Sequence, residues 1–410
     1  MTDTPTYKTR LDEREPVADW LTDFDHTDPS YGQQAPEIWE EVRASGCPVA
    51  RTERFGGTWL PVSHADISAI ANDTEHFTSQ DVIVSDFRTE MPRPIGAAPP
   101  ITSDPPFHAF ARRLLLPAFS PKAIEPWEAA TREICRRLLD EVAAKAEAGD
   151  VTDAALDYTQ HVPVMVIAEM LGVPASDGPK FRGFINRIIE DPRPDPNLAV
   201  EDTLDYYLDA VIADHRAEPR GDLVSYLLDL DIDGEPLSDE HVRGTIALLI
   251  IAGIDTTWSA IGSALHHLAT HPEDRRRLVA EPDLMPFAVE EFLRFYAPVT
   301  MARVVAADVE VSGCPMKEGD WTLLPFPAAN RDPEVFERAD EFVIDRARNR
   351  HAAFGLGIHR CLGSNLARME LRVAIEEWLA RFPEFEAAGE PRWSAGQVRG
   401  PRELPVSIAG

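Results

Sequence analysis

Along the 410 residues, apolar positions recur mainly at the three-to-four spacing of helices, and only short stretches alternate. Thr58 to Val62, Asp308 to Val311 and Trp321 to Pro325 alternate as strands of small sheets do. Most of the remainder reads as helix. The longest helical pattern runs from Ser238 to Thr270: Ser238 suits an N-cap, Asp239 and Glu240 suit the positive end of the dipole, and His271-Pro272 stops it. At about 1.5 Å per residue that helix approaches about 50 Å. Its middle is apolar nearly all round, so it must run through the body of the molecule. The fold class expected is mainly α, with small β-sheets at one side. The length by itself admits two or three units, but no internal repeat or long linker divides the chain, and 1–410 reads as one domain whose first 25 or so residues are charged and expected to be flexible.

Composition narrows the function. With 44% hydrophobic residues the chain has enough apolar surface for a sizeable core. No apolar signal-peptide core precedes residue 25, and the longest apolar run, Ala247 to Ile254, is far shorter than the roughly 20 residues of a membrane span, so a cytoplasmic protein with no membrane segment is expected. Four cysteines, Cys47, Cys135, Cys314 and Cys361, show no C-x-x-C spacing, which suggests neither a zinc ribbon nor a disulfide framework. The formal net charge of -30 argues against nucleic acid or an anionic membrane as partner.

The decisive stretch is Phe354-Gly355-Leu356-Gly357-Ile358-His359-Arg360-Cys361-Leu362-Gly363, which leads into a helix-forming run. Three glycines permit tight turning and close approach of a flat cofactor. Amides at the following helix start favour a thiolate, and a thiolate is the axial ligand that promotes O–O cleavage at iron. With this F-x-x-G-x-x-x-C-x-G spacing the chain resembles the cytochrome P450 family over essentially its whole length. The resemblance implies a triangular helical fold around haem b (iron protoporphyrin IX), with Cys361 as the metal ligand and Phe354, Gly355, Gly357 and Gly363 enclosing the proximal side.

Halfway along the long helix stands Ala252-Gly253-Ile254-Asp255-Thr256-Thr257. A glycine costs about 1 kcal/mol in a helix interior, so Gly253 asks for a reason, and close approach to the cofactor is one. A threonine hydroxyl bonding back one turn loosens a helix, and the neighbouring Asp255 supplies an ionisable group; together they make a proton relay. The segment resembles the family's A-G-x-D/E-T motif, which assigns Thr256 to the oxygen-binding kink and Asp255 to proton delivery. Glu291 and Arg294 form an E-x-x-R pair that resembles the family's buried structural pair, locked to the meander represented by Asn330 to Pro333 and Phe342 to Arg346. His108 and Arg112, at i and i+4, resemble the family's propionate site, joined by Arg303 and His359.

The resemblance places substrate contacts in the loop Val82 to Ala98, near Phe181 to Ile189, at Leu249 and Ala252 (the latter also against the cofactor), and at Val299 to Ala302, including Thr300. Most are apolar or small, and a small hydrophobic organic substrate is expected; Arg88 and Arg93 are polar candidates. The loop near Ile95 to Pro106 and the break Asp191 to Asn197 are candidate lids. No nucleotide fingerprint is present, so electrons must come from another protein. Between Arg346 and Arg372 six arginines (Arg346, Arg348, Arg350, Arg360, Arg368, Arg372) face one acid, Glu370, and this patch suits an acidic ferredoxin or flavodoxin served by its reductase. The reading is a monooxygenase using O2 to hydroxylate or epoxidise its substrate. Oxidative coupling or peroxide-driven oxidation on the same haem and a non-catalytic haem-thiolate sensor are the alternatives; a cysteine-nucleophile hydrolase lacks an identifiable histidine partner.

Overall fold

The computed structural model describes residues 15–84, 97–190, 197–232 and 234–408. The spine is α5 (Asp239–Thr270), preceded in the chain by α1 (His64–Asn72), α2 (Phe107–Leu115), α3 (Trp127–Glu147) and α4 (His161–Leu171), and followed by α6 (Met285–Phe295) and α7 (Ser364–Arg381). Ser238 caps α5 by accepting from the His241 N–H at 3.2 Å, and Pro272 opens the next helix directly behind it. By length and composition α5 passes for a membrane span, which the longest apolar run did not suggest, yet most of its apolar window is buried against other helices. It packs on α4 and α7, and α7 lies along α3.

The expected strands are present. A five-stranded sheet runs β1 (Val49–Thr52), β2 (Thr58–Pro61), β7 (Trp321–Pro325), β4 (Thr300–Val305), β3 (Phe77–Thr78) in spatial order. Only the β2–β7 pair is parallel. The hairpin β5 (Val309–Val311) and β6 (Cys314–Met316) hangs beside it. At the other end β8 (Phe385–Ala387), β10 (Pro405–Ile408) and Thr152–Asp153 form a second sheet, and β9 (Pro401–Glu403) precedes β10.

Residues 1–14 of the charged N-terminal stretch lie outside the described residues, and the flexibility expected of it does not reach Phe24. That ring is buried among Tyr31 and Trp39, and Arg54 ties Asp23 and Asp25 down on either side of it. Arg88, Arg93 and nearly all of the Asp191 to Asn197 break lie outside the described residues.

Glu291 and Arg294 are both fully buried and joined by two 2.8 Å hydrogen bonds. The Glu291 carboxylate also accepts from Arg346 Nε at 3.0 Å, Asn349 Nδ2 at 3.0 Å and the Val343 N–H at 2.8 Å. Arg294 donates to the carbonyls of Asn330, Ala339 and Glu341. Every polar atom of the pair has a partner, which is the condition under which a buried ion pair holds a fold in one arrangement; removing either partner would strand a charge at a cost of about 3–5 kcal/mol.

Glu370, on α7, is the opposite case. It is fully buried and neither carboxylate oxygen has a hydrogen-bond partner, so desolvation lifts it to about 8. A carboxyl raised in the folded state contributes stability that is complete below its unfolded value and is lost as pH rises through the folded one. Unfolding free energy is therefore expected to fall between pH 4.5 and about 8, by up to about 1.4 kcal/mol per pH unit. Denaturant titrations at pH 6 and 8 check this: Glu370→Gln should flatten the slope, and an equal slope in the variant would assign it to other groups.

Candidate active site

The loop between the meander and α7 turns so tightly because Gly357 has φ +67° and its Cα lies against the Ala71 carbonyl of α1, where a Cβ would approach to 2.2 Å. This close fit to α1 fixes the loop from behind. At its end the Cys361 N–H donates to the Phe354 carbonyl at 2.7 Å. Cys361 is an exposed residue, yet desolvation around its thiol pushes it up; the Gly363 amide, Arg112, Arg360 and Arg368 oppose that rise. Phe354 is capped by the Arg368 guanidinium, 4.4 Å from its ring. Gly355 packs near Phe326, and Gly363 stands 3.9 Å from the sulfur when its missing Cβ is drawn in.

Four basic side chains converge beside this loop. The His108 and His359 rings lie 4.3 Å apart, and Arg112 donates to the Arg360 carbonyl at 2.6 Å. Arg303 is buried on β4, where its one described hydrogen bond is to the carbonyl of its neighbour Ala302. His108 Nε2 and His359 Nε2 are buried without hydrogen-bond partners. Desolvation and repulsion from Arg303, His108 and Arg112 push His359 down to about 2, and desolvation lowers Arg303 to about 10 against the pull of Asp104. So many uncompensated donors call for a buried anion, and the two propionates of haem fit that demand.

Packing leaves part of the middle of α5 accessible. Leu248, Ala252 and Thr256 recur every four residues and are not buried, whereas Leu249, Ile250, Ile254 and Asp255 are. The Thr256 hydroxyl donates to the Ala252 carbonyl at 2.7 Å. Asp255 is itself buried and joins a network that reaches the surface at Glu190: its Oδ1 accepts from Arg402 Nη2 at 2.6 Å, and Arg402 also reaches Ser259 Oγ at 2.9 Å, pairs with Glu190, and lies 4.3 Å over the Trp258 ring. Burial raises the Asp255 carboxyl to about 6 against the pull of Arg402, and its Oδ2 is unpartnered.

Several expectations are corrected here. Gly253 makes room for a neighbouring helix rather than for a cofactor: a Cβ there would meet Ile167 of α4 at 2.8 Å. Leu249, expected in the pocket, is buried in the main core, whereas Leu248 beside it stays partly accessible. Thr300 is buried against Tyr31, whose hydroxyl it meets. Strand alternation puts Thr300 on the far face of β4, while Val299, Met301 and Arg303 share the near one. Val82 is nearly buried, and its carbonyl accepts from Ala302 N and Gln397 Nε2. Phe181, Phe184 and Ile185 belong to the core. The arginine patch is half consumed: Arg346 pairs with Glu291, Arg368 with Glu290 and Arg372 with Glu128 and Glu376, which leaves Arg348, Arg350 and Arg360 exposed. Arg402, Ser259 and Glu190 were not anticipated, and no local pattern in Arg399 to Leu404 marks Arg402 as the partner of Asp255.

The comparisons agree on the family. A model described as Cytochrome P450 matches residues 60–392. The chain is 34% identical over 372 residues to the mycinamicin IV hydroxylase/epoxidase of Micromonospora griseorubida, covering 88% of this chain and 92% of that one. It is 32% identical over 382 residues to the polyketide biosynthesis cytochrome P450 PksS of Bacillus subtilis (strain 168), with 88% and 93% covered. Among solved structures, CYP109E1 from Bacillus megaterium in complex with testosterone superposes with a TM-score of 0.83 at 30% identity, covering 93% of this chain and all of that one.

Proposed function

This chain belongs to the cytochrome P450 family, whose haem b is bound through a cysteine thiolate, and is a monooxygenase; on that premise we propose that it hydroxylates or epoxidises a small, mostly hydrophobic organic molecule in the cytoplasm, with Cys361 as the iron ligand and Asp255 and Thr256 as the proton path. When bound, the haem supplies a redox-active iron that activates dioxygen. His108, Arg112, Arg303 and His359 would hold its propionates, and Ala252 would lie against its distal side. The observation that carries the reading is Asp255, a buried carboxyl held by Arg402 and one residue from a hydroxyl on the accessible helix face.

The chemistry of these side chains follows from where they sit. Thr256 keeps its hydroxyl proton on the Ala252 carbonyl, and its oxygen remains free to accept and pass on another. Asp255, raised to about 6, can take up and release a proton near neutral pH at little cost. Arg402 steadies the ionised form, and its pairing with Glu190, which is partly exposed, connects the carboxyl to solvent. Leu248, Ala252, Val299 and Met301 present apolar surface to the substrate.

Haem-loaded protein reduced through a surrogate ferredoxin and reductase tests this reading. Thr256→Ala should bind haem normally but divert most of the reductant into peroxide; undiminished coupling of electrons to product would remove Thr256 from the proton path. We assign electron delivery to an acidic ferredoxin or flavodoxin on the surface carrying Arg348, Arg350 and Arg360. With three cations that are exposed and form no ion pair among the described residues, the reduction rate should fall severalfold between low and high salt, and a salt-independent rate in stopped-flow would argue for a different docking face.

A further inference from the structure

The haem loop accounts for Cys361, and Cys135 is buried in the core, where desolvation pushes its thiol up to about 12 and leaves it inert. The remaining two cysteines, remote in sequence, meet at the surface. Cys47 stands just before β1 and Cys314 opens β6, each within the same tetrapeptide, Ser-Gly-Cys-Pro, at Ser45 to Pro48 and Ser312 to Pro315. Cys47 is exposed and Cys314 partly so.

Their sulfurs share one acceptor. Cys47 Sγ donates to the Val49 carbonyl at 3.4 Å and Cys314 Sγ to the same oxygen at 3.7 Å. The two sulfurs therefore lie no farther apart than the sum of those distances. Cys47 sits on an exposed turn, and Cys314 sits on the hairpin at the edge of the cluster formed by Val49, Val311 and Met316. The Val49 carbonyl thus gathers two thiols where the hairpin packs on β1 through Val49, Val311 and Met316.

We propose that Cys47 and Cys314 are a redox thiol pair that hydrogen peroxide closes into an intramolecular disulfide. The Cys47 thiolate, the more accessible, attacks one peroxide oxygen; the O–O bond breaks, the other oxygen leaves as water after protonation, and Cys47 becomes a sulfenic acid. The Cys314 sulfur then attacks the Cys47 sulfur, the S–O bond breaks and a second water departs. Two thiols and one peroxide give one disulfide and two waters: each sulfur loses one electron and peroxide takes up both. The bond clasps the segment before β1 to the β5–β6 hairpin, and because it joins positions far apart in sequence it restricts the unfolded chain strongly. In a reducing compartment such a bond is transient, so the pair acts as a reversible switch.

Haem-loaded, full-length protein is treated with a small molar excess of hydrogen peroxide, alkylated, digested without reductant and examined by mass spectrometry. The expected product is a peptide pair linking Cys47 to Cys314 and lighter by two hydrogens. It should disappear with dithiothreitol and be absent from Cys47→Ser and Cys314→Ser, both changes that keep the shape of the side chain. The oxidised wild type should also melt at a higher temperature than the reduced protein, a difference missing from both variants. Alkylation of both thiols after peroxide, oxidation of Cys47 alone to sulfinic acid, or a disulfide between two molecules would each overturn the proposal.

Discussion

Cys361→Ser is expected to abolish the strongly red-shifted Soret band that carbon monoxide gives with the reduced, haem-loaded protein, and to lower turnover at least about a thousandfold, equivalent to about 4 kcal/mol of barrier. The serine hydroxyl is nearly the same shape, so the loop can still close with its backbone bond to Phe354. What is lost is the polarisable thiolate and the electron density it sends to iron. The Gly363 amide and the guanidiniums of Arg112, Arg360 and Arg368 help a thiol ionise against its burial, but they cannot do this for an alcohol near neutral pH. A red-shifted band that survives in folded, haem-loaded variant would assign the ligand elsewhere.

Asp255→Asn should lower kcat by about 10²–10⁴-fold while leaving substrate affinity, read from the spin-state titration, within a factor of about two. Asparagine retains an acceptor for Arg402 but cannot take up or release a proton. A raised KM with unchanged kcat would make Asp255 part of the packing around α5 rather than of proton delivery. Arg402→Lys is the companion measurement. It keeps a positive charge beside Asp255 but cannot bridge Asp255, Ser259 and Glu190 at once, so its kcat should fall less than that of the Asn variant.

Features that depend on neighbours in sequence are legible in the order of residues alone. The cap at Ser238 and the stop at Pro272 bound α5 because helix ends are satisfied within one turn. Glu291 with Arg294, and His108 with Arg112, sit on common helix faces because three and four residues make about one turn. The Thr256 hydroxyl finds the carbonyl four residues back for the same reason. The spacing of glycines around Cys361 is likewise local, since a tight loop must take its unusual backbone angles within a few residues.

The sequence by itself thus determined the family, the mainly helical fold, the cysteine loop and the short-range pairs, all of which follow from backbone geometry over a turn or two. Only the tertiary structure decided which face each element turns inward. A shift of one position carries a residue to the opposite side of β4, so Thr300 packs against Tyr31, and Leu249 is buried in the main core while its neighbour Leu248 is partly accessible. It also decided which charges are spent internally, leaving Arg348, Arg350 and Arg360 exposed where the sequence counts six arginines. The ion pair between Asp255 and Arg402 spans 147 residues. No local pattern encodes such a contact, because it exists only after β9 has been laid against the middle of α5.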